Sequence, residues 1–447
     1  MKKKLYGILA GIMTAALLAT ACSSGTGNSG DQASPGATTA ATTAASGTPG
    51  GAKAPVKLKF WGGVPPESGP QEVVDTWNKA NPDIQVEYVR FVNDDAGNLK
   101  LDTAVMTGQG VDIFVNYSFA RMEQRQSSGS TLDLSQFTDF NILEKVGDGA
   151  KEFMINGKFY GLPTTKGVSF MWLNMDAFKE ANLPIPYDWT WEEARDYAKK
   201  LNKKGRWGLL QWNASIFNPV DRVFHEEGHV VNGKSNFGSA NAKYGMELLH
   251  GMMHTDKTTP LLGEQLATKM PVDTMFLKGE GAMFNAGTWI FRNANNIQAN
   301  PRTFKVAFAP IPRYSFQKSL LSEGGLGDIV SINSASAHKE EAWKFLKWYT
   351  DEGILYMVPG GRIPVSKDVN LDKVISLLLK GVENLYDHES LKRVLFGNIP
   401  YFTRKIEQPV MDMRQEEMEK YLLNANTLEK STATLIDRHN TFIQQKK

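Results

Sequence analysis

The sequence predicts an α/β fold divided into two lobes, and three observations predict it. Between Val56 and Val115 the pattern runs strand, helix, strand, helix, strand, the signature of a parallel sheet covered by helices. The chain has 447 residues, 41% of them hydrophobic, and a single core stops growing near about 250–300 residues. The packed part also begins abruptly, after a stretch too poor in apolar residues to form a core of its own.

A further segment stands ahead of that stretch. Lys2, Lys3 and Lys4 precede an apolar run from Leu5 to Leu18, which ends in Ala19-Thr20-Ala21 before Cys22. A basic start, a short apolar centre and a small-residue end make an export signal over residues 1–21. Gly7, Gly11 and Thr14 interrupt the run, and a spanning helix needs roughly 20 apolar residues. Cys22 is the only cysteine, so neither an intramolecular disulfide nor a cysteine zinc cluster is available. Its setting resembles a bacterial lipobox, with Leu18 four residues ahead and Ala19 where an aliphatic residue is usual. Residues 22–55, nearly all Ser, Gly, Thr, Ala and Pro, read as a flexible tether.

The elements then follow in order. Val56–Trp61 is the first strand, and Gln71–Lys79 places Val73, Val74 and Trp77 on one side of a helix. Ile84–Val89 is a second strand after the Asn81-Pro82 break, Asn98–Met106 a helix, and Ile113–Val115 a third strand. Ligands on open α/β sheets sit beyond the carboxyl ends of the strands, which is where Trp61, Asn116 and Tyr117 fall. Further on, Thr190-Trp-Glu-Glu193 is a capping box that opens a helix through Leu201. Ala342, Phe345, Leu346 and Tyr349 share one face of a helix starting near Lys339, and 408–421 and 427–445 are helical.

Charge argues against a polyanion partner. The formal net charge is +2. Without the three leading lysines, 47 basic residues face 48 acidic ones, so no strong field attracts nucleic acid or an anionic membrane. Two enzyme-like strings overlap between His225 and Ser235. His225-Glu-Glu-Gly-His229 fits the zinc-peptidase pattern, but that pattern needs one continuous helix, and Gly228 followed by Val230-Val231-Asn232-Gly233 reads as a hairpin. Gly228–Ser235 fits the phosphate-loop string, yet a charged segment precedes it and a turn follows it. No G-x-S-x-G elbow occurs. Paired carboxylates for glycoside hydrolysis stay open, because 48 acids offer many pairs.

From about Val56 to Pro364 the chain resembles the family 1 extracellular solute-binding proteins, relatives of the maltose-binding protein. The landmarks are Lys59–Gly63, Gly110–Phe114, Asn156–Pro163, Trp172–Asn174, Gly279–Trp289, Gly324-Gly325, Ser331–Asn333, Glu341–Leu346 and Gly361–Val365. Val111 replaces the family's proline, and Leu173 stands where relatives carry tyrosine. The resemblance implies a periplasmic-binding-protein-like fold whose two lobes are joined by a hinge and enclose a cleft. The expected lobes are 56–165 with 311–342, and 166–310 with 343–447. It further implies a lipid-anchored monomer on the outer face of the cell membrane, delivering a sugar to the permease subunits of an ABC importer. No catalytic residue, cofactor or metal is expected; the alternative is a secreted carbohydrate-active hydrolase or a zinc peptidase.

A sugar offers apolar C–H faces and a belt of hydroxyls, so recognition needs flat aromatic rings and planar polar groups. Among 10 Trp, Trp61, Trp212 and Trp289 fall at strand ends or loops, and the resemblance makes Trp289 the ring that stacks on sugar. Trp343 and Trp348 read as core or lobe surface. Glu67 and Arg362 are edge contacts able to bridge neighbouring hydroxyls. Asp112 either touches ligand or caps a neighbouring loop. By the resemblance, Asn116, Tyr117, Lys166, Asn218 and Asp221 stand near the cleft.

Overall fold

The computed structural model describes residues 54–108, 110–213, 218–397, 399–402 and 406–446, with the side chains of 218, 219 and 323 outside that description. The export signal over 1–21, Cys22 and all of the 22–55 tether except its last two residues therefore lie outside the described residues. Among the described residues, no helix is long and apolar enough to cross a membrane.

The predicted alternation is observed. Strand β1 (Val56–Gly62), helix α1 (Pro70–Ala80), β2 (Ile84–Arg90), α2 (Asp95–Met106) and β3 (Ile113–Asn116) follow in order, and α3 (Phe119–Ser127) closes the unit. β1 pairs in parallel with both β2 and β3. Leu58 and Phe60 of β1 face one way, into a core with Val73, Val74 and Trp77 of α1. Trp61 faces the other way, into a small core with Phe91, Leu101 and Phe114. Period-two alternation thus feeds helices on both faces, as a parallel sheet requires. An Asn156-Gly157 turn, both residues at positive φ, joins the short hairpin strands Met154–Ile155 and Lys158–Phe159.

One long strand links the halves. β4 (Leu162–Asn174) pairs through Leu162–Val168 with β8 (Ser322–Ile332), and through Ser169–Leu173 with β6 (Gly281–Gly287). Its last residues also pair with β7 (Val306–Ala309), and β6 pairs in parallel with β5 (Trp207–Gln211). β8 in turn runs antiparallel to β3. The close approach of β4 and β8 depends on Gly324, at φ 138°, where a Cβ would overlap the Gly167 carbonyl.

The second half has a core on each face of its sheet. Met171, Leu173 and Leu209 face α4 (Trp191–Leu201), through Ala194, Ala198 and Leu201. Phe170, Trp172 and Phe284 face Phe291, Phe308 and Tyr386. The capping box opens α4 as predicted, with Thr190 Oγ1 accepting from Glu193 N at 3.2 Å and Glu193 Oε2 accepting from Thr190 N at 2.7 Å.

Two boundaries move. The sequence reading placed 343 onward in the second lobe, yet Trp343, Phe345, Leu346 and Tyr349 of α7 (Lys339–Asp351) pack in the core of β1 and α1. The reason is aromatic complementarity: Phe345 meets Trp77 edge-on at 5.3 Å and Phe60 at 5.6 Å. Conversely, Ile311 and Tyr314, expected in the first lobe, pack with Met171 and Leu209 in the second. Beyond α7 the chain forms the turn Gly353–Gly360. The helices α8 (Gln408–Leu422) and α9 (Leu428–Gln445) then place Met418, Leu422 and Leu435 in the same second-lobe core.

Candidate functional site

The turn leaving β1 is braced from two sides. Phe91 N donates to the Gly62 carbonyl at 2.9 Å, the Tyr88 hydroxyl donates to the Val64 carbonyl at 2.7 Å, and Gly63 N donates to the Tyr117 hydroxyl oxygen at 2.6 Å. A side chain on Gly63 would press on the Tyr117 ring, with Cε2 only 2.9 Å from its Cβ. The sequence Gly62-Gly63 therefore lets two phenols close over this turn. It leads to Glu67, which is exposed on the short helical turn Pro66–Ser68.

On the second-lobe side, β6 runs out at Gly287 into the turn Thr288–Ile290, which carries Trp289. The indole lies across Gly287, where a Cβ would collide with the ring, and it remains half-buried. Two further turns close on this corner. A Cβ at Gly361 would overlap the Thr288 carbonyl, and one at Gly360 would stand 2.7 Å from the Ser68 carbonyl. Glu67, Arg362 and Trp289, three of the predicted residues, are thus brought to one corner where turns from both halves meet.

The corner is rich in charge. Arg362 donates through Nε to Asp328 Oδ2 at 3.1 Å and stays mostly buried. Burial opposes its charge, but the ion pair with Asp328 helps to hold the guanidinium above its ordinary range. Tyr117 is pushed up by burial and by Asp328. Arg292 follows on α6 (Phe291–Ala294). Burial, and then the guanidinia of Arg362 and Arg90, hold it below its ordinary range, against the weaker pull of Asp273 and Glu67.

At the end of β5 stand Gln211 and Trp212. Gln211 is 1% exposed, and neither its amide nitrogen nor its amide oxygen has a partner among the described residues. The Trp212 indole N–H is buried without a partner too. Gln211 pairs in register with Asn285 of β6, two residues before Gly287. Lys166 on β4 is half-buried, with its ammonium 5.5 Å from the centre of the Tyr401 ring, and burial pushes its pKa down.

Several predicted contacts are structural instead. Asp112 takes the capping alternative: Oδ2 accepts from Lys59 N at 2.8 Å and Oδ1 from the Ser336 hydroxyl at 2.6 Å. Asn116 is fully buried, donating to Ile329 O and Ser331 Oγ and accepting from Arg125 Nη1 at 2.8 Å. Asp221 on α5 (Asn218–Glu227) is fully buried against Arg414 of α8. Trp61 is 7% exposed within its small core, its ring facing Lys100 Nζ at 5.6 Å. Asn218 opens α5, but its side chain lies outside the described residues. The zinc pattern breaks where expected: α5 ends at Glu227 and Gly228 takes φ 79°. His225 then stacks on Phe402 at 4.6 Å and His229 on His439 at 5.8 Å, so the two imidazoles do not share a helical face. Sequence reasoning missed Arg292, Gln211 and Asp328. Adjacency to Trp289 and Trp212 was the only signal for the first two, and nothing local marks Asp328.

A family model described as bacterial extracellular solute-binding protein matches residues 62–354, more than half of the chain. The chain belongs to that family. An uncharacterized lipoprotein of Streptomyces antibioticus is 29% identical over 168 residues, 35% of this chain. That match spans 36% of the relative, so the chain aligns with only about a third of its length. A multiple sugar-binding protein of Streptococcus mutans is 23% identical over 325 residues, 68% of this chain and 73% of that protein. Among solved structures, an ABC substrate-binding protein of Listeria monocytogenes in complex with cycloalternan superposes with a TM-score of 0.71 at 21% identity. It covers 87% of this chain and 99% of that one, a likeness of fold. The fold is accordingly the two-lobe α/β fold of periplasmic binding proteins, with β4 as one of the strands that cross between lobes.

Proposed function

From that membership we propose that the protein captures a carbohydrate between its lobes and delivers it, unaltered, to the membrane permease of an ABC importer. The observation that carries the proposal is the half-buried indole of Trp289, held flat across Gly287 where turns of both lobes meet. A flat ring of this kind offers a large contact area to the C–H face of a sugar with little entropy to lose. Around it, the guanidinia of Arg292 and Arg362 and the carboxylate of Glu67 supply planar hydrogen-bonding edges for hydroxyls. The names of the Streptococcus mutans and Listeria proteins support a sugar as the solute.

No bond is made or broken in this scheme. Ligand seated at the corner touches turns from both lobes and so favours the closed arrangement, by no more than its preference for closed over open. The permease reads the closed form. Cys22 carries the lipid, residues 22–55 hold the monomeric domain above the outer face of the membrane, and residues 1–21 are removed on export. The Streptomyces lipoprotein supports the anchor.

Thermal melting against a panel of sugars, peptides and polyamines tests the reading. A solute at a hundred times its Kd stabilises the protein by about 2.7 kcal/mol. The expected result is a rise with one or more carbohydrates that disappears in Trp289→Ala. A rise with peptides or polyamines alone overturns the proposal. For the anchor, Cys22→Ala should move the protein from the membrane fraction into the medium.

A further inference from the structure

We infer that the buried amides of Gln211 and Asn285 form a hydroxyl-reading subsite beside the Trp289 ring, and that the unit seated there is a neutral sugar with two free neighbouring hydroxyls. The inference rests on the carbohydrate reading above and deepens it, adding two residues that recognise the solute and a condition on its chemistry.

The register of the second-lobe sheet joins these residues. Gln211, the last residue of β5, pairs with Asn285 of the parallel strand β6. Side chains at paired positions stand on one face, about 4.8 Å apart across the ladder. Asn285 is in turn in register with the fully buried Met171 of β4, so the two amides are the polar end of a row that is otherwise core. The next position outward on that face of β6 is Gly287, about 7 Å along the strand. Gly287 has no side chain, and the Trp289 ring fills the place one would take. The ring is thus the outward neighbour of Asn285, and Gln211 is its lateral neighbour.

Neither amide is spent on the fold. Gln211 is almost fully buried, and its Nε2 and Oε1 both lack a partner among the described residues. Asn285 is 6% exposed, and its side chain makes no hydrogen bond among them either. Although they stand one strand spacing apart, the two amides do not bond to each other. Buried amides left unpaired cost stability, so two of them side by side call for a partner from outside the chain. Its chemistry follows from what the amides offer, an uncharged donor nitrogen and an uncharged acceptor oxygen each. A carboxylate or phosphate only accepts, and would leave both amide oxygens unpaired against an anion. An ammonium group only donates, and would leave both nitrogens unpaired. A hydroxyl does both, and two neighbouring hydroxyls on a sugar stacked against Trp289 satisfy both amides. Such a site discriminates by absence, because a solute without the hydroxyl leaves a buried amide unpaired.

Titration calorimetry of the purified full chain tests this. The probes are neutral mono-, di- and trisaccharides of glucose, galactose, xylose and arabinose, the corresponding uronates, and the monodeoxy forms of whichever neutral sugar binds most tightly. The expected result is tightest binding by a neutral sugar, with removal of one hydroxyl weakening it about ten- to a hundredfold. Gln211→Met, which keeps the shape and removes the amide, should weaken the parent sugar by a similar factor and leave that deoxy form little changed. The same variant should hold or raise the melting temperature of the sugar-free protein, since it removes an unpaired buried group. Asn285→Leu should act likewise on a neighbouring hydroxyl, and with the wild-type deoxy series it carries the test should Gln211→Met fold poorly. A melting temperature that falls by several degrees while affinity and deoxy preference stay put means that Gln211 holds an internal water; it overturns the subsite and leaves carbohydrate capture intact. Deoxy forms that all bind as tightly as the parent, or a uronate that binds more tightly than its neutral counterpart, overturn the subsite in the same way. Failure of every sugar to bind overturns both.

Discussion

The carboxyl ends of the strands in the two lobes treat their polar groups in opposite ways. In the first lobe, Arg125 is 4% exposed and spends its guanidinium on Asp102 at 2.6 Å, Asn116 at 2.8 Å and Asn98 at 2.9 Å. Asn116, the last residue of β3, is likewise saturated. In the second lobe, Gln211 and the Trp212 indole are buried without partners among the described residues. Buried polar groups are ordinarily paired, so a saturated cluster is explained by the fold, whereas an unsaturated one needs another reason. Lack of a partner alone is not enough. The Trp172 N–H is also unpaired among the described residues, but inside an aromatic core with Phe170, Phe291 and Phe308. The Trp61 N–H near the end of β1 is unpaired among the described residues too, within an apolar core of Phe91, Leu101 and Phe114. What sets Gln211 and Trp212 apart is that an amide and an indole stand unpaired side by side at one strand end.

The comparison breaks first if the first-lobe cluster turns out to bind ligand. Arg125→Ala strands Asp102 and the oxygens of Asn98 and Asn116, and should cost about 3–5 kcal/mol in urea denaturation, while the surviving folded protein keeps its ligand affinity. A loss of affinity at unchanged stability would reverse the assignment. Trp289→Ala should do the converse, weakening ligand by about 2–3 kcal/mol in calorimetry, roughly a hundredfold, with a small change in melting temperature because the ring is only half-buried. Asp112→Ala removes two accepted hydrogen bonds and should lower stability by about 1–3 kcal/mol, again with binding retained.

A last, pH-dependent effect concerns His439, buried beside Phe237 and His229, with Ser235 Oγ at 2.9 Å and Glu407 nearby. Burial, with a further contribution from His229, lowers its pKa to about 4. A base whose pKa is depressed on folding is neutral in the native state and takes up a proton on unfolding once the pH drops below its ordinary value. Its stabilising effect is therefore complete above about pH 6.5 and fades as pH falls towards 4. Denaturation curves across that window should lose up to about 3 kcal/mol, and His439→Gln should flatten the profile.

The first lobe was readable in the sequence because its strands alternate cleanly and its helices carry local stop and start signals. The Thr190 capping box, the Asn156-Gly157 hairpin and the break of α5 at Gly228 were readable for the same reason. The lobe boundaries were not. A strand that changes partners midway, as β4 does at Val168–Ser169, has no local mark beyond Gly167, and the docking of α7 is decided by rings far away in the chain. The site was half legible. Trp289 and Arg362 could be located from their motifs, but Asn116 and Asp221 have the same short polar signature whether they meet a ligand or a distant residue. Asn116 bonds to Ser331, 215 positions away, and Asp221 to Arg414.

The central claim is that a carbohydrate binds between the lobes against the Trp289 ring. Titration calorimetry of wild type and Trp289→Ala with the carbohydrate that raises the melting temperature most tests it directly. The account predicts one site per chain in the wild type and about a hundredfold weaker binding in a variant that melts within a few degrees of it. Equal affinity in the two proteins would contradict it.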